Sequence, residues 1–240
     1  MQFFDELGNK ISKEKFISIY SKSYFINEKR LVKGVSQNSS YAESEIEKIL
    51  KNGIKTELDI VHILAWKIGK INHKKSTDKF VYADDWTNAD KFNVKRYGKK
   101  FELSLLAEYI VNNINDLENE VKTNPQNVLN RLKSLNINGL GTVYLITLLY
   151  FISKGEYPIY DRFAKIAIDA ISGDKTPGSF VEYNELPEKN SREFETVIEQ
   201  VIEYKKQIED IFGTEHIKNR DIDRALWVYG HSFTNKKTHC

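Results

Sequence analysis

Residues 132–168 read LKSLNINGLGTVYLITLLYFISKGEYPIYDRFAKIAI. The stretch opens on the end of a short helix. Pro125 restarts the chain after Asn124, and Val128, Leu129, Leu132 and Leu135 recur at helical spacing. Asn136–Gly141 then reads as a tight turn, in which Gly139 and Gly141 supply backbone freedom and room for another backbone to come close. Thr142–Ser153 is apolar almost all round, the pattern of a buried helix. The first amides of that helix, on Gly141, Thr142 and Val143, stand at the positive end of its dipole and can meet a phosphate. Gly155 and Pro158 end the segment, and Asp161 can cap a helix that runs on to Ile171.

The turn admits other readings. A dinucleotide-binding loop fails, because the preceding segment is helical rather than a strand and Tyr144 stands at the third glycine position. A plain glycine turn joining two packed helices stays open.

Outward from this stretch the chain is patterned for helices. Tyr41–Leu50 follows Ser39 and Ser40, and Thr56 can cap a helix carrying Leu58, Ile60, Val61, Leu64, Ala65, Ile68 and Ile71. Phe101 to about Leu117 reads as one helix, and Arg192–Phe212 and Asp221–Phe233 as the last two. Phe16–Leu31 is ambiguous, residues 172–191 read as a loop, and the tail from Thr234 reads as frayed. No stretch alternates convincingly as a strand. Residues 72–100 lack periodicity, and a segment this long without it is usually functional or mobile. From position 62 to 100 there are ten Lys or Arg against four acids. Lys91, Lys95, Arg96, Lys99 and Lys100 are the candidate phosphate contacts there, against the bland alternative of a solvated surface.

Composition narrows the class. The 240 residues are 40% hydrophobic and 29% charged, a globular balance, and the net charge is only +2. No apolar run approaches the roughly 18–20 residues that span a bilayer, and MQFFDELGNKISKEKF lacks the apolar core of a signal peptide. No membrane partner and a cytoplasmic place are therefore expected. Cys240 is the one cysteine, so no disulfide framework or cysteine-held metal forms within the chain. His62, His73, His216, His231 and His239 show no metal-ligand spacing, and His231 reads as a capping or packing residue. Glu43, Glu45 and Glu47 are expected to face water, as is the Asp84-Asp85 pair.

The 132–168 stretch resembles the helix-hairpin-helix DNA glycosylase superfamily, of the endonuclease III and 8-oxoguanine glycosylase kind. In that family a Leu-Pro-Gly-Val-Gly hairpin precedes a buried helix, a proline-bearing loop and an essential aspartate twenty residues beyond the second glycine. Asp161 stands twenty residues after Gly141, with Pro158 just before it. The later order also follows the family, down to a closing helix, DIDRALWVYGHSF at 221–233. The likeness covers about 130–233. There are departures. Val143 stands where bifunctional members carry the lysine that attacks the sugar, so lyase cleavage is not expected. The four cluster cysteines are missing, and Asn138 replaces the common proline.

The resemblance implies an all-α, two-lobed fold with a cleft between the lobes. One lobe would span 30–155 and end in the hairpin; the other would join 1–29 to 156–240. It implies a monomeric, monofunctional DNA N-glycosylase that flips a damaged or mispaired base out of duplex DNA. Asn138, Gly139, Leu140, Gly141, Thr142 and Val143 would grip the backbone. Asp161 would stabilise positive charge on the sugar and activate water, while also serving as a helix cap. Tyr144, Tyr157 and above all Tyr160 would line the base pocket, with Trp66 and Trp86 as further stacking candidates, although each such aromatic is more often a core or surface residue. No cofactor would be required, although hairpin carbonyls around Leu135–Asn138 would suit a monovalent cation. The alternatives are a hairpin protein that binds DNA without chemistry, and a helical interaction protein with no nucleic-acid role.

Overall fold

A computed structural model of the chain describes residues 1–26, 40–74, 79–82, 84–96, 99–214 and 219–233. The expected frayed tail, Cys240, His216 and His239 lie outside them. In chain order the elements are β1 (Phe3–Phe4), β2 (Lys10–Ile11), α1 (Lys13–Ile26), α2 (Ser40–Asn52), α3 (Glu57–Lys67), β3 (Ile71–Lys74), β4 (Lys79–Tyr82), β5 (Val94–Arg96) and β6 (Lys99–Phe101). There follow α4 (Leu103–Asn112), α5 (Ile114–Glu120), α6 (Pro125–Ser134), α7 (Thr142–Ile152), α8 (Arg162–Ser172), α9 (Val197–Phe212) and α10 (Arg220–Gly230). The protein is mostly helical.

The chain divides into two compact units. One holds residues 1–31, 160–186 and 199–240; the other holds 32–159 and 187–198. Residues 187–198, placed by sequence with the C-terminal half, thus belong to the unit that carries the hairpin.

In the first unit, α1 makes the ambiguous Phe16–Leu31 stretch a helix as far as Ile26, its remainder lying outside the described residues. It is ordered by aromatic packing rather than by a clean apolar stripe. Phe16 touches the rings of Phe3, Tyr20 and Tyr229 with centroids 4.9–5.0 Å apart. Such tilted and edge-on pairs suit the ring quadrupole. The β1–β2 turn is closed by Asp5, whose Oδ1 accepts the amides of Leu7 and Asn9 at 3.0 and 2.8 Å. These bonds, led by those from Asn9, hold its carboxyl below the ordinary carboxylate value. Helices α8 and α10 meet at Gly230, where a Cβ would stand 1.9 Å from the Phe163 carbonyl oxygen. Only a glycine allows that approach.

In the second unit, α7 is buried on nearly every side, as its composition dictates. Around it lie helices with local start signals. Thr56 and Asp59 form a reciprocal capping box on α3. Asn124 caps α6 by accepting the Asn127 amide at 3.1 Å, with Pro125 at the first helical position.

Three expectations fail here. The single helix expected from Phe101 is two, α4 and α5, broken at Asn113, whose Nδ2 donates to the Tyr109 carbonyl at 2.8 Å. A side chain that competes for backbone groups in this way interrupts a helix. The described residues of 72–100 are not a loop. β3 pairs with β4 and β5 with β6, joined by short 3-10 turns at Asp84–Trp86 and Ala89–Lys91. With β1–β2 these are the three two-stranded hairpins among the described residues. Their strands of two to four residues are too short for alternation to show. Glu43 is buried, 1% exposed, because its Oε1 accepts the Trp66 indole N–H at 2.6 Å. Trp66 and Trp86 are core residues, 6% and 2% exposed, packed on Phe151 and Phe101, as the commoner reading of such aromatics expects.

Candidate functional site

Two places carry the residues that the sequence singles out, one in each unit. The hairpin lies between α6 and α7. Asn136 and Gly139 both take left-handed backbone conformations, φ 53° and 80°. Asn and Gly are the residues that accept this region most readily. The Leu140 amide donates to the Ile137 carbonyl at 3.3 Å and closes the turn. Ile137 and Leu140 are buried and anchor it. Gly141 is the N-cap of α7 and brings no capping side chain. Tyr144 and Leu145 already donate to the Gly141 carbonyl. Among the described residues no acceptor lies on the amides of Gly141, Thr142 or Val143. A Cβ added at Gly141 would meet nothing within 4 Å, and the Val143 side chain is exposed. The helix start is thus open, with unpaired donors at the positive end of the dipole.

The segment 187–191 is tied to the back of this turn by two bonds. Thr142 Oγ1 donates to the Pro187 carbonyl at 2.6 Å, and Lys189 Nζ donates to the Ile137 carbonyl at 2.7 Å. Lys189 is half-buried, and burial holds its ammonium below the ordinary lysine value. Sequence reading missed Lys189, since nothing in a Pro/Glu/Asn-rich loop marks one lysine as a structural partner of a distant turn.

In the other unit Asp161 is the N-cap of α8, and its Oδ1 accepts the Phe163 amide at 3.0 Å. The capping role read from sequence is therefore present, and the carboxylate is fixed in place by it. Asp161 is half-buried and stands among groups that feel its charge. The Tyr183 hydroxyl is pushed up to about 12, by burial first and then by Asp161 and Glu185. Tyr204 is raised by burial, then by Asp223 and Asp161. The His231 ring stacks on Phe163 with centroids 3.4 Å apart, and its Nδ1 lies 2.7 Å from the Trp227 carbonyl. A carbonyl only accepts, so Nδ1 carries the proton and Nε2 of the neutral ring keeps its lone pair. Burial lowers the His231 pKa, while the Trp227 carbonyl and Asp161 oppose that shift.

The aromatic candidates are divided between the two units. Tyr144 and Tyr157 belong with the hairpin unit and are half-buried. Tyr160 belongs with Asp161, but its ring is 3% exposed and lies 5.1 Å from that of Tyr204, so it serves the core rather than an open pocket. Tyr183, Tyr204 and His231 are the neighbours of Asp161 that sequence did not assign. Tyr183 sits in an aperiodic loop, and His231 is distant in sequence.

Of the basic candidates, Lys91, Lys95 and Lys100 are exposed, and Arg96 and Lys99 are described through their backbone only. The register sets Lys95 directly opposite Lys100, Arg96 opposite Lys99, and Lys74 opposite Lys79. Like charges facing across a ladder destabilise it. An open cleft of about 270 Å³ elsewhere in this unit is lined by Glu45, Lys48, Asp59, His62 and Phe80, and includes neither the hairpin nor Asp161. Among the described residues no group of three or more His, Cys, Asp or Glu could hold a metal ion, and no helix is long and apolar enough to cross a membrane. No family model matches the chain, and neither a curated protein nor a solved structure matches it.

Proposed function

We propose that this protein binds duplex DNA through the 136–143 turn and excises a base with Asp161 as the catalytic carboxylate. The observation that carries the binding half is the open start of α7. Three amides with no acceptor among the described residues, and the space over Gly141, leave a surface for an anionic ligand. Every helix leaves its first amides without intrahelical partners, and here no capping side chain takes their place. Phosphate oxygens are acceptors of the right charge for it. The exposed Lys95–Lys100 pair supports the same partner, because a polyanion relieves repulsion between like charges across a ladder.

The excision half rests on Asp161 and its resemblance to the family's aspartate. Breaking an N-glycosidic bond develops positive charge on the sugar, and a fixed carboxylate stabilises it and orients water. The Nε2 lone pair of His231 and the Tyr183 hydroxyl are polar groups within the same electrostatic neighbourhood. Val143 leaves no amine at the lyase position, so the product is an abasic site and not a cleaved strand.

A second reading is favoured by one observation: Asp161 already spends Oδ1 on the Phe163 amide, as a structural cap does. Under it the protein binds DNA without chemistry. The test incubates the protein with duplexes containing uracil, alkylated purines, 8-oxoguanine or mismatches, then reveals abasic sites with hot alkali. Product from one duplex that is lost in Asp161→Asn supports excision. Binding without product supports the second reading, and neither binding nor product rejects both.

A further inference from the structure

The resemblance implies a monovalent cation held by hairpin carbonyls near Leu135–Asn138, and the Ile137 carbonyl in the middle of that run is already taken. The Ile137 carbonyl has two lone pairs, and both have donors: the Leu140 amide at 3.3 Å and Lys189 Nζ at 2.7 Å. A metal ion on that oxygen would lie beside an ammonium and be repelled. Among the described residues Lys189 forms no ion pair with a carboxylate, so its charge is not cancelled locally. The lysine is also not adventitiously placed. Thr142 Oγ1 on the Pro187 carbonyl pins the strap from which Lys189 reaches back, two residues away.

We infer that the Lys189 ammonium is the built-in cation of the hairpin, held on the Ile137 carbonyl, so that the turn keeps its shape without a potassium or sodium ion. Lys189 is thereby a positioning residue: it acts on the turn and not on a reacting atom. The binding arm of the test rests on the DNA reading above; the melting arm does not.

The experiment compares the native protein with Lys189→Met and Lys189→Arg, in potassium chloride and in choline chloride at equal concentration. Thermal melting of the free protein and anisotropy of a labelled duplex are read in each salt. The native protein is expected to melt at the same temperature in both salts, and to bind the duplex within about twofold. Lys189→Met, which keeps the alkyl stem, is expected to melt lower in choline and to recover in potassium. Its binding in choline should fall about tenfold, the scale of one lost charge-assisted hydrogen bond. Lys189→Arg should behave as the native protein does. A native protein that melts higher in potassium than in choline overturns the inference, as does a Lys189→Met variant indifferent to both salts. If the native protein binds no duplex in either salt, the DNA reading fails while the melting comparison still decides the role of Lys189.

Discussion

Gly230 and Phe163 are in backbone contact: a methyl group on the first would stand 1.9 Å from the carbonyl oxygen of the second. Helical propensity alone favours Gly230→Ala by about 1 kcal/mol. The contact reverses that sign, because a backbone carbonyl in a helix cannot rotate away. Urea unfolding should show a loss of roughly 1–3 kcal/mol or more, the cost of overpacking. A neutral Gly230→Ala would mean that α8 and α10 do not meet there.

Gly141 is the contrasting glycine. It has φ −87° and nothing within 4 Å of an added Cβ. Gly141→Ala should cost at most about 1 kcal/mol as a poorer N-cap. Duplex affinity should nevertheless fall, since the methyl group fills the space that a phosphate would enter. Unchanged affinity in a folded variant would remove the α7 start from the interface.

Asp161 has a structural role and a proposed chemical one, and two substitutions separate them. Asparagine caps a helix about as well as aspartate, so Asp161→Asn should keep the stability of the native protein while losing base excision. Asp161→Ala should lose both, with a stability cost of about 1 kcal/mol. Excision surviving in Asp161→Asn would leave the residue a cap alone.

His231 reports on Asp161 directly. Burial lowers its pKa below the ordinary 6.5, Arg162 adds to that shift, and Asp161 and the Trp227 carbonyl oppose it. The folded ring therefore binds a proton less readily than the unfolded one. Its contribution to stability is fully present above 6.5 and is lost as the pH falls through the folded value. An NMR titration should give a midpoint below 6.5 and a neutral ring protonated on Nδ1. Asp161→Asn should move the midpoint lower still. A midpoint unmoved by that substitution would show that the two groups do not sense each other.

Lys95 and Lys100 face each other across β5–β6. Lys100→Glu turns a repulsive pair into an attractive one and should stabilise the fold by a few tenths of a kcal/mol, up to about 1. The same change should weaken duplex binding and flatten its dependence on salt, by about 0.9 in slope for each phosphate no longer neutralised. Replacing Lys91, Lys95, Arg96, Lys99 and Lys100 together should flatten it further. An unchanged slope would place the hairpin away from DNA.

Much of the helical frame was legible because it is written locally. Pro125 after Asn124, Thr56 before Asp59 and the run from Thr142 each announce an element within a few residues. The turn was legible too, down to the cap at Asp161, since glycine and aspartate act on their own backbone. What escaped depends on distant partners. Glu43 looks like a solvent-facing acid until Trp66 arrives to donate to it, and Lys189 looks like any loop lysine until the Ile137 carbonyl is beneath it. Strands β3 to β6 escaped for another reason: pairs of two to four residues are too short to carry a period. Their lysines, which suggested a loop, sit on ladders instead.

The division of the chain has a consequence for its synthesis. Residues 32–159 and 187–198 build one unit, so it can close once position 198 has been made. The other unit needs α1 from the start of the chain and α10 near its end. The apolar rings of Phe16 and Tyr20 must therefore wait for Tyr229, roughly 10–40 s at ordinary rates of translation. For that interval α1 lacks the helix it packs against, and its rings stay uncovered on that side.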